Sequence, residues 1–273
     1  LGPPDHRLHG LDPVRRGNNL PAAYTNRGTA HYEKGDYDRA LADHGEAIRL
    51  DAKYARAYVN RGRARSAKDD SEGALADFTV AIGLDAKYGD AYYNRGFVYF
   101  LKGDNERAIA DLNEAIRLDR KDHEAYSSRG RAHLYGGSAA LALADLTQAN
   151  EVDPKEAYAA LWRDIAAQRS GVASRLRQAS AAIDMSAWPA PVIRLFLGET
   201  TAEAVLAAAD SPDRKTKTEQ VCEAHFFSGA WALRQGAKDE AARLFRLAAR
   251  DCPRDFTERG AATAELKALG QTR

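Results

Sequence analysis

A five-residue signature returns along this chain at a fixed step of 34 residues. Tyr24-Thr25-Asn26-Arg27-Gly28 recurs as Tyr58-Val59-Asn60-Arg61-Gly62 and Tyr92-Tyr93-Asn94-Arg95-Gly96, then in altered form as Tyr126-Ser127-Ser128-Arg129-Gly130. Small residues keep the same step, at Ala40, Ala74, Ala108 and Ala142 and again at Ala47, Ala81, Ala115 and Ala149. So do two aspartate columns, Asp43, Asp77, Asp111, Asp145 and Asp51, Asp85, Asp119, Asp153. Each copy reads as a helix, a turn and a second helix, for example residues 22–34 and 38–50. Gly35, Gly103 and Gly137 stand where the first helix must stop, since glycine takes a left-handed cap without a Cβ penalty. One such hairpin cannot hide its apolar face alone, whereas a stack of four buries a continuous core. The period therefore predicts an all-α repeat protein.

The pattern resembles the tetratricopeptide repeat (TPR), whose small-residue positions 8, 20 and 27 are filled in all four copies. The match spans residues 21–156, as units 21–54, 55–88, 89–122 and 123–156; the family's proline survives only as Pro154. The resemblance implies a TPR superhelix (an α-α solenoid) with a concave face made mainly by the first helix of each unit. Residues 1–20 carry Pro3, Pro4 and Pro13 without periodicity and are expected to form an irregular arm.

The ladder ends at Asp164, where the next glycine would fall. Residues 157–273 are expected to be a helical C-terminal region. Residues 157–170 read as a helix, Thr200 or Thr201 caps a short helix through Ala209, and 210–218 read as a polar loop. A TPR-like hairpin over 219–251 turns at Gly236, with Gly229, Ala241 and Ala248 at the small-residue positions, and a capping helix follows at about 256–269. Ala160-Leu161-Trp162, Trp188-Pro189-Ala190-Pro191-Val192-Ile193, Leu195-Phe196-Leu197-Gly198 and Cys222 through Gly229 are similar to the C-terminal half of the NlpI-type bacterial envelope proteins. That resemblance implies a periplasmic adaptor that brings a cell-wall hydrolase together with a protease, often as a homodimer. Such proteins typically carry an N-terminal lipid-anchored cysteine, which this chain lacks; Leu1 in place of Met leads us to expect a processed product.

Asn26, Asn60 and Asn94 occupy one column of the first helices, facing the expected groove. An asparagine offers both an amide donor and a carbonyl acceptor, so a row of them at the repeat pitch is suited to hold an extended peptide by its backbone. The competing role is a bond to a neighbouring helix. Tyr93, Phe97, Phe100, Leu101, Leu134 and Tyr135 form an apolar groove patch beside them, while Thr25, Thr29, Tyr32, Arg56 and Arg63 line the earlier units. Either a partner segment or the C-terminal region folding back would cover that patch. Arg27, Arg61, Arg95 and Arg129 sit where the family usually has leucine, so each demands a carboxylate. The in-phase aspartates predict the salt bridges Arg27–Asp43, Arg61–Asp77, Arg95–Asp111 and Arg129–Asp145.

Cys222 and Cys252 fall at the open end of the 219–251 hairpin, within reach of one another, so a disulfide or two buried thiols both fit. The envelope-protein resemblance favours the disulfide and a periplasmic location; the alternative is a cytosolic TPR complex-assembly module with free thiols. Forty basic against 39 acidic residues give a net charge of +1, which argues against nucleic acid as a partner. No apolar run has the length of a membrane span. GxSxG, P-loop, HExxH and CxxC motifs are all missing, and no metal site or cofactor is expected. Cys222 and His225, one helical turn apart, are the one remote candidate for a thiol enzyme. Binding of a peptide or protein, rather than catalysis, is the expected function.

Overall fold

The structure is a computed structural model that describes residues 20–253 and 256–271, so nearly all of the expected arm lies outside the described residues. Those residues contain fifteen helices and no strand. They form two compact units, one ending at Ala91 and the other beginning at Tyr92, a boundary inside the fifth helix.

The first unit holds α1 (Leu20–Glu33), α2 (Tyr37–Leu50), α3 (Ala55–Ala67) and α4 (Ser71–Leu84), with α5 (Gly89–Leu101) starting at its end. The second continues through α6 (Asn105–Leu118), α7 (His123–Tyr135), α8 (Ala139–Val152) and α9 (Ala157–Arg169). It then carries the short helices α10 (Leu176–Ala179), α11 (Ala190–Phe196) and α12 (Ala202–Ala208). Three longer ones end it: α13 (Arg214–Arg234), α14 (Lys238–Asp251) and α15 (Thr257–Ala268). The polar stretch expected as a loop to residue 218 is shorter than that. Asp213 accepts from the Thr216 N–H at 2.8 Å and so starts α13 at Arg214. The Thr201 cap of α12 accepts from Ala204 N at 3.3 Å.

Each periodic column has a physical task. The alanines of both columns are fully or almost fully buried, as helix-packing positions require. Asp36, Asp70 and Asp104 cap α2, α4 and α6 through bonds to the backbone N–H three residues on. Asp51, Asp85, Asp119 and Asp153 end the second helices, each accepting from the N–H of the lysine two residues later at 2.8–3.0 Å. That bond turns the chain toward the next unit. Gly35, Gly103 and Gly137 are left-handed (φ 76°, 76° and 86°), and Asp69 takes that conformation (φ 64°) in the copy without a glycine.

Each arginine of the signature lies between two in-phase partners. Arg27, Arg61, Arg95 and Arg129 bind Asp43, Asp77, Asp111 and Asp145 through two nitrogens at 2.5–2.9 Å. Their guanidinium carbons stand 5.2, 5.5, 5.9 and 5.6 Å from the ring centroids of Tyr24, Tyr58, Tyr92 and Tyr126. Tyrosine three residues before arginine is therefore a structural pair, one turn apart on the same helix.

In the second unit, Trp162, Phe226, Phe227 and Phe245 centre a core that also takes in Leu134, Leu146, Ile193 and Leu195. Cys222 Sγ and Cys252 Sγ are 2.06 Å apart within it, joining α13 to the end of α14.

Candidate functional site

A cavity of about 320 Å³ opens in the second unit on the face built by first helices of the repeats. From α5 comes Tyr93, and from α7 come His123, Glu124, Ser127 and Arg131. Glu156 and Tyr158 arrive with the start of α9, Glu223 with α13, and Phe256, Thr257 and Glu258 with the start of α15. Local capping fixes where these side chains begin. Asp122 accepts from Ala125 N at 2.9 Å and starts α7, and the Glu156 carboxylate accepts from Ala159 N to start α9.

Glu223 is the most constrained group. Tyr158 Oη donates to its Oε2 at 2.8 Å, and Trp188 Nε1 donates to the same oxygen. Burial pushes its carboxyl up to about 7, with the Glu258 charge adding to the rise and the two hydrogen bonds opposing it. Glu258 is only 6% exposed, and burial raises its pKa too, against the charge of Arg131. Arg131 donates from Nη2 to Ser128 Oγ at 3.0 Å, and its Nη1 stands 3.5 Å from Thr257 Oγ1, long for a hydrogen bond. Burial raises the Tyr158 hydroxyl, helped by Glu223, and pushes Tyr93 up to about 12, so both rings stay neutral. The cavity thus joins aromatic walls to carboxylates that outnumber its cations.

Of the apolar groove candidates, Tyr93 alone lines this cavity, with Phe97 stacked on it at 6.2 Å. Phe100 is buried against Leu112 and Ile116, and Leu101 packs on the same cluster. Leu134 and Tyr135 do not line an open groove. Leu134 is 4% exposed in the Trp162 core, and Tyr135 sits edge-on to Trp162 with its hydroxyl donating to Glu265 Oε1 at 3.1 Å. Arg169 pairs with that same carboxylate from α9. The C-terminal helices take the place of a partner at these two residues.

The asparagines differ among themselves. Asn26 is exposed, and Asn60 Nδ2 donates to Thr29 Oγ1 of the preceding unit at 3.2 Å, which uses one of its amide donors. Asn94 is half-buried and already engaged. Thr25 is fully buried and lines nothing open. The thiol-enzyme candidate fails on its nucleophile, because Cys222 is buried and bonded to Cys252. His225 is held below its usual pKa by burial.

Of the residues lining this cavity, the sequence names Tyr93 as a groove residue but not Arg131, Tyr158, Glu223 or Glu258. A faint signal existed for the last two, as glutamates among the apolar residues of α13 and in the first turn of α15.

The comparisons with known proteins agree with this architecture. The tetratricopeptide repeat family's model matches residues 89–122, and a second TPR repeat model matches 28–69. The structure from the functional characterisation of Pseudomonas aeruginosa pilF superposes with a TM-score of 0.56 at 15% identity, covering 90% of this chain and 97% of that one. A tetratricopeptide repeat protein from Parabacteroides merdae gives 0.55 at 18% identity, over 92% and 98%. The MamA protein gives 0.52 at 20% identity, over 59% and 91%. At these identities the likeness shows the fold: this chain carries tetratricopeptide repeats in the all-α manner of TPR solenoids. Among the described residues no helix is long and apolar enough to cross a membrane.

Proposed function

We propose that this protein is a non-enzymatic scaffold that holds a peptide segment of a partner protein, seated on the first-helix face of the second unit. The observation that carries this reading is the cavity itself, which presents side chains of α5, α7 and α9, with α13 and α15 adding its acidic far wall. TPR proteins serve as protein-binding scaffolds, and a pre-formed concavity with a few convergent polar groups is the usual form of a binding site. The Cys222–Cys252 bond supports an oxidising compartment and favours a periplasmic adaptor over a cytosolic assembly module. A role linking a protease to cell-wall hydrolases rests on the NlpI-type resemblance, as does homodimerisation, which light scattering would check.

The test is site-directed photo-crosslinking in extract from the source cells. A crosslinker at Glu124, exposed at the cavity rim, is compared with one at Leu141, exposed on α8. The reading expects a discrete partner segment captured from Glu124 and absent from Leu141. Identical products at both positions, or none from Glu124, would remove this face as the binding surface. Thiol titration of the denatured, unreduced native-source protein separates the compartments, since two free thiols point to the cytosolic module.

A further inference from the structure

The cavity's carboxyl groups outnumber its cations, and among the described residues one of them, Glu258, is met by no other residue's hydrogen bond, only by its own backbone N–H and the nearby charge of Arg131. Glu258 is 6% exposed, lines the cavity, and accepts no hydrogen bond from another residue among the described residues. It forms no ion pair within 4.0 Å there either. Glu223 uses Oε2 for both of its bonds, leaving Oε1 without a protein donor among the described residues. Glu124 and Glu156 add two more carboxylates, against Arg131 and His123. A buried charged group left without a partner is costly, so such groups are ordinarily met by an opposite charge.

Building on the scaffold reading above, we propose that this cavity is a recognition pocket for a cationic side chain, arginine or lysine, of the bound partner segment. Its head lies between Glu223 and Glu258, and its aliphatic stem runs along Tyr93, Tyr158 and Phe256. Those rings match the occupant twice, since aromatic faces attract a cation and also cover the methylenes behind it. A metal ion is the poorer fit, because no group of three His, Cys, Asp or Glu among the described residues is placed to hold one. A carboxylate ligand would meet one arginine and four carboxyl groups. Arg131, tied to Ser128, sets the side of the cavity from which the cation is repelled and so orients it.

The experiment is isothermal titration of the full chain with blocked pentapeptides of the form Gly-Gly-X-Gly-Gly, where X is arginine, lysine or the neutral isostere citrulline. The pocket expects binding of at least one cationic peptide and at least about ten-fold weaker binding of the citrulline peptide. Glu258→Gln, which keeps shape and removes charge, should weaken the cationic peptide about ten-fold, while Glu114→Gln, exposed on α6, should leave it unchanged. Equal binding of arginine and citrulline peptides, or an unmoved affinity in a folded Glu258→Gln, overturns the proposal. So does the absence of any heat with both cationic peptides at about 10 mM. If Glu258→Gln fails to fold, the citrulline comparison on the unaltered chain still decides. A segment crosslinked at Glu124 that contains no arginine or lysine would overturn the pocket's ligand and leave the scaffold standing.

Discussion

A Cβ placed on Gly229 would stand 2.8 Å from Cε1 of Phe245, closer than side chains pack. The same clash recurs sixteen residues apart at Gly28 against His44, Gly62 against Phe78 and Gly130 against Leu146, and a tight 3.1 Å contact stands at Gly96 against Leu112. The hairpin of α13 and α14 thus brings its helices together at a glycine in the same way, although its sequence has left the strict period. In each unit a bulky side chain of the second helix fills the space the glycine leaves.

This relationship predicts opposite outcomes for two glycine-to-alanine changes. Gly229→Ala should lose about 1–3 kcal/mol by forcing Phe245 off its site in a fully buried core. Gly45→Ala, on α2 with nothing within 4 Å of a Cβ, should gain about 0.5–1 kcal/mol from helix propensity. Chemical denaturation of both variants checks the pair, and equal effects would refute the packing argument.

His44 makes unit one sensitive to acid. Its column is otherwise filled by Phe78, Leu112 and Leu146, yet here an imidazole is fully buried with neither nitrogen bonded. Burial lowers its pKa to about 4, with Arg61, Arg63 and Arg56 adding to the fall and Asp43 opposing it. The unfolded chain therefore binds a proton from about pH 6.5 downward that the folded chain refuses until about 4. Stability should fall across that window by about 3 kcal/mol as pH drops, and should be insensitive to this group above it. His44→Phe copies the second repeat, should be the more stable protein below pH 6.5, and should flatten this part of the profile. Urea melts of both proteins from pH 7 to 4 read the difference directly; parallel profiles would rule His44 out as the cause.

How much of this was legible depends on whether a residue's partner shares its period. Arg129 and Asp145 recur in phase with three other pairs, so their pairing could be read from spacing. Asn60 could not be read so, because its amide bonds Thr29, a residue outside the shared signature. Leu134 and Tyr135 looked like groove residues by register, but α9 and α15 cover them with Trp162, Arg169 and Glu265. Glu223 and Glu258 were only faintly legible for the same reason. They come from helices beyond the repeats, and only the tertiary fold brings them to a face whose other residues are periodic.

The Cys222–Cys252 bond closes a loop with a sequence separation of 30. By chain entropy such a closure contributes about 3–4 kcal/mol. Cys222→Ala/Cys252→Ala, or reduction of the unaltered protein, should lower stability by that amount, seen as an earlier unfolding transition. The loss should be confined to the second unit. A variant as stable as the unaltered protein would mean that the cross-link adds nothing to a hairpin already held by Phe226 and Phe245.

Asp145 has a second potential partner in His133, whose Nε2 lies 3.8 Å from its Oδ2. Burial holds His133 below its ordinary pKa, with Arg129 lowering it further and Asp145 pulling the other way. Arg129→Met removes a repelling charge and leaves a mostly buried carboxylate without its two short bonds. His133 is then the nearest group able to neutralise it. Its pKa should rise above 6.5, which imidazole resonances followed by NMR against pH would show. At pH 8, with His133 neutral, the variant should lose about 3–5 kcal/mol, the usual cost of stripping one member from a buried pair. Between pH 8 and 6 the newly charged imidazole should restore part of that, because a raised histidine pKa contributes stability below its value in the unfolded chain and loses it as pH climbs through the folded one. A His133 that titrates where it did before, in a variant that still folds, would show that Asp145 finds water or Asn113, the other partner of Arg129, instead.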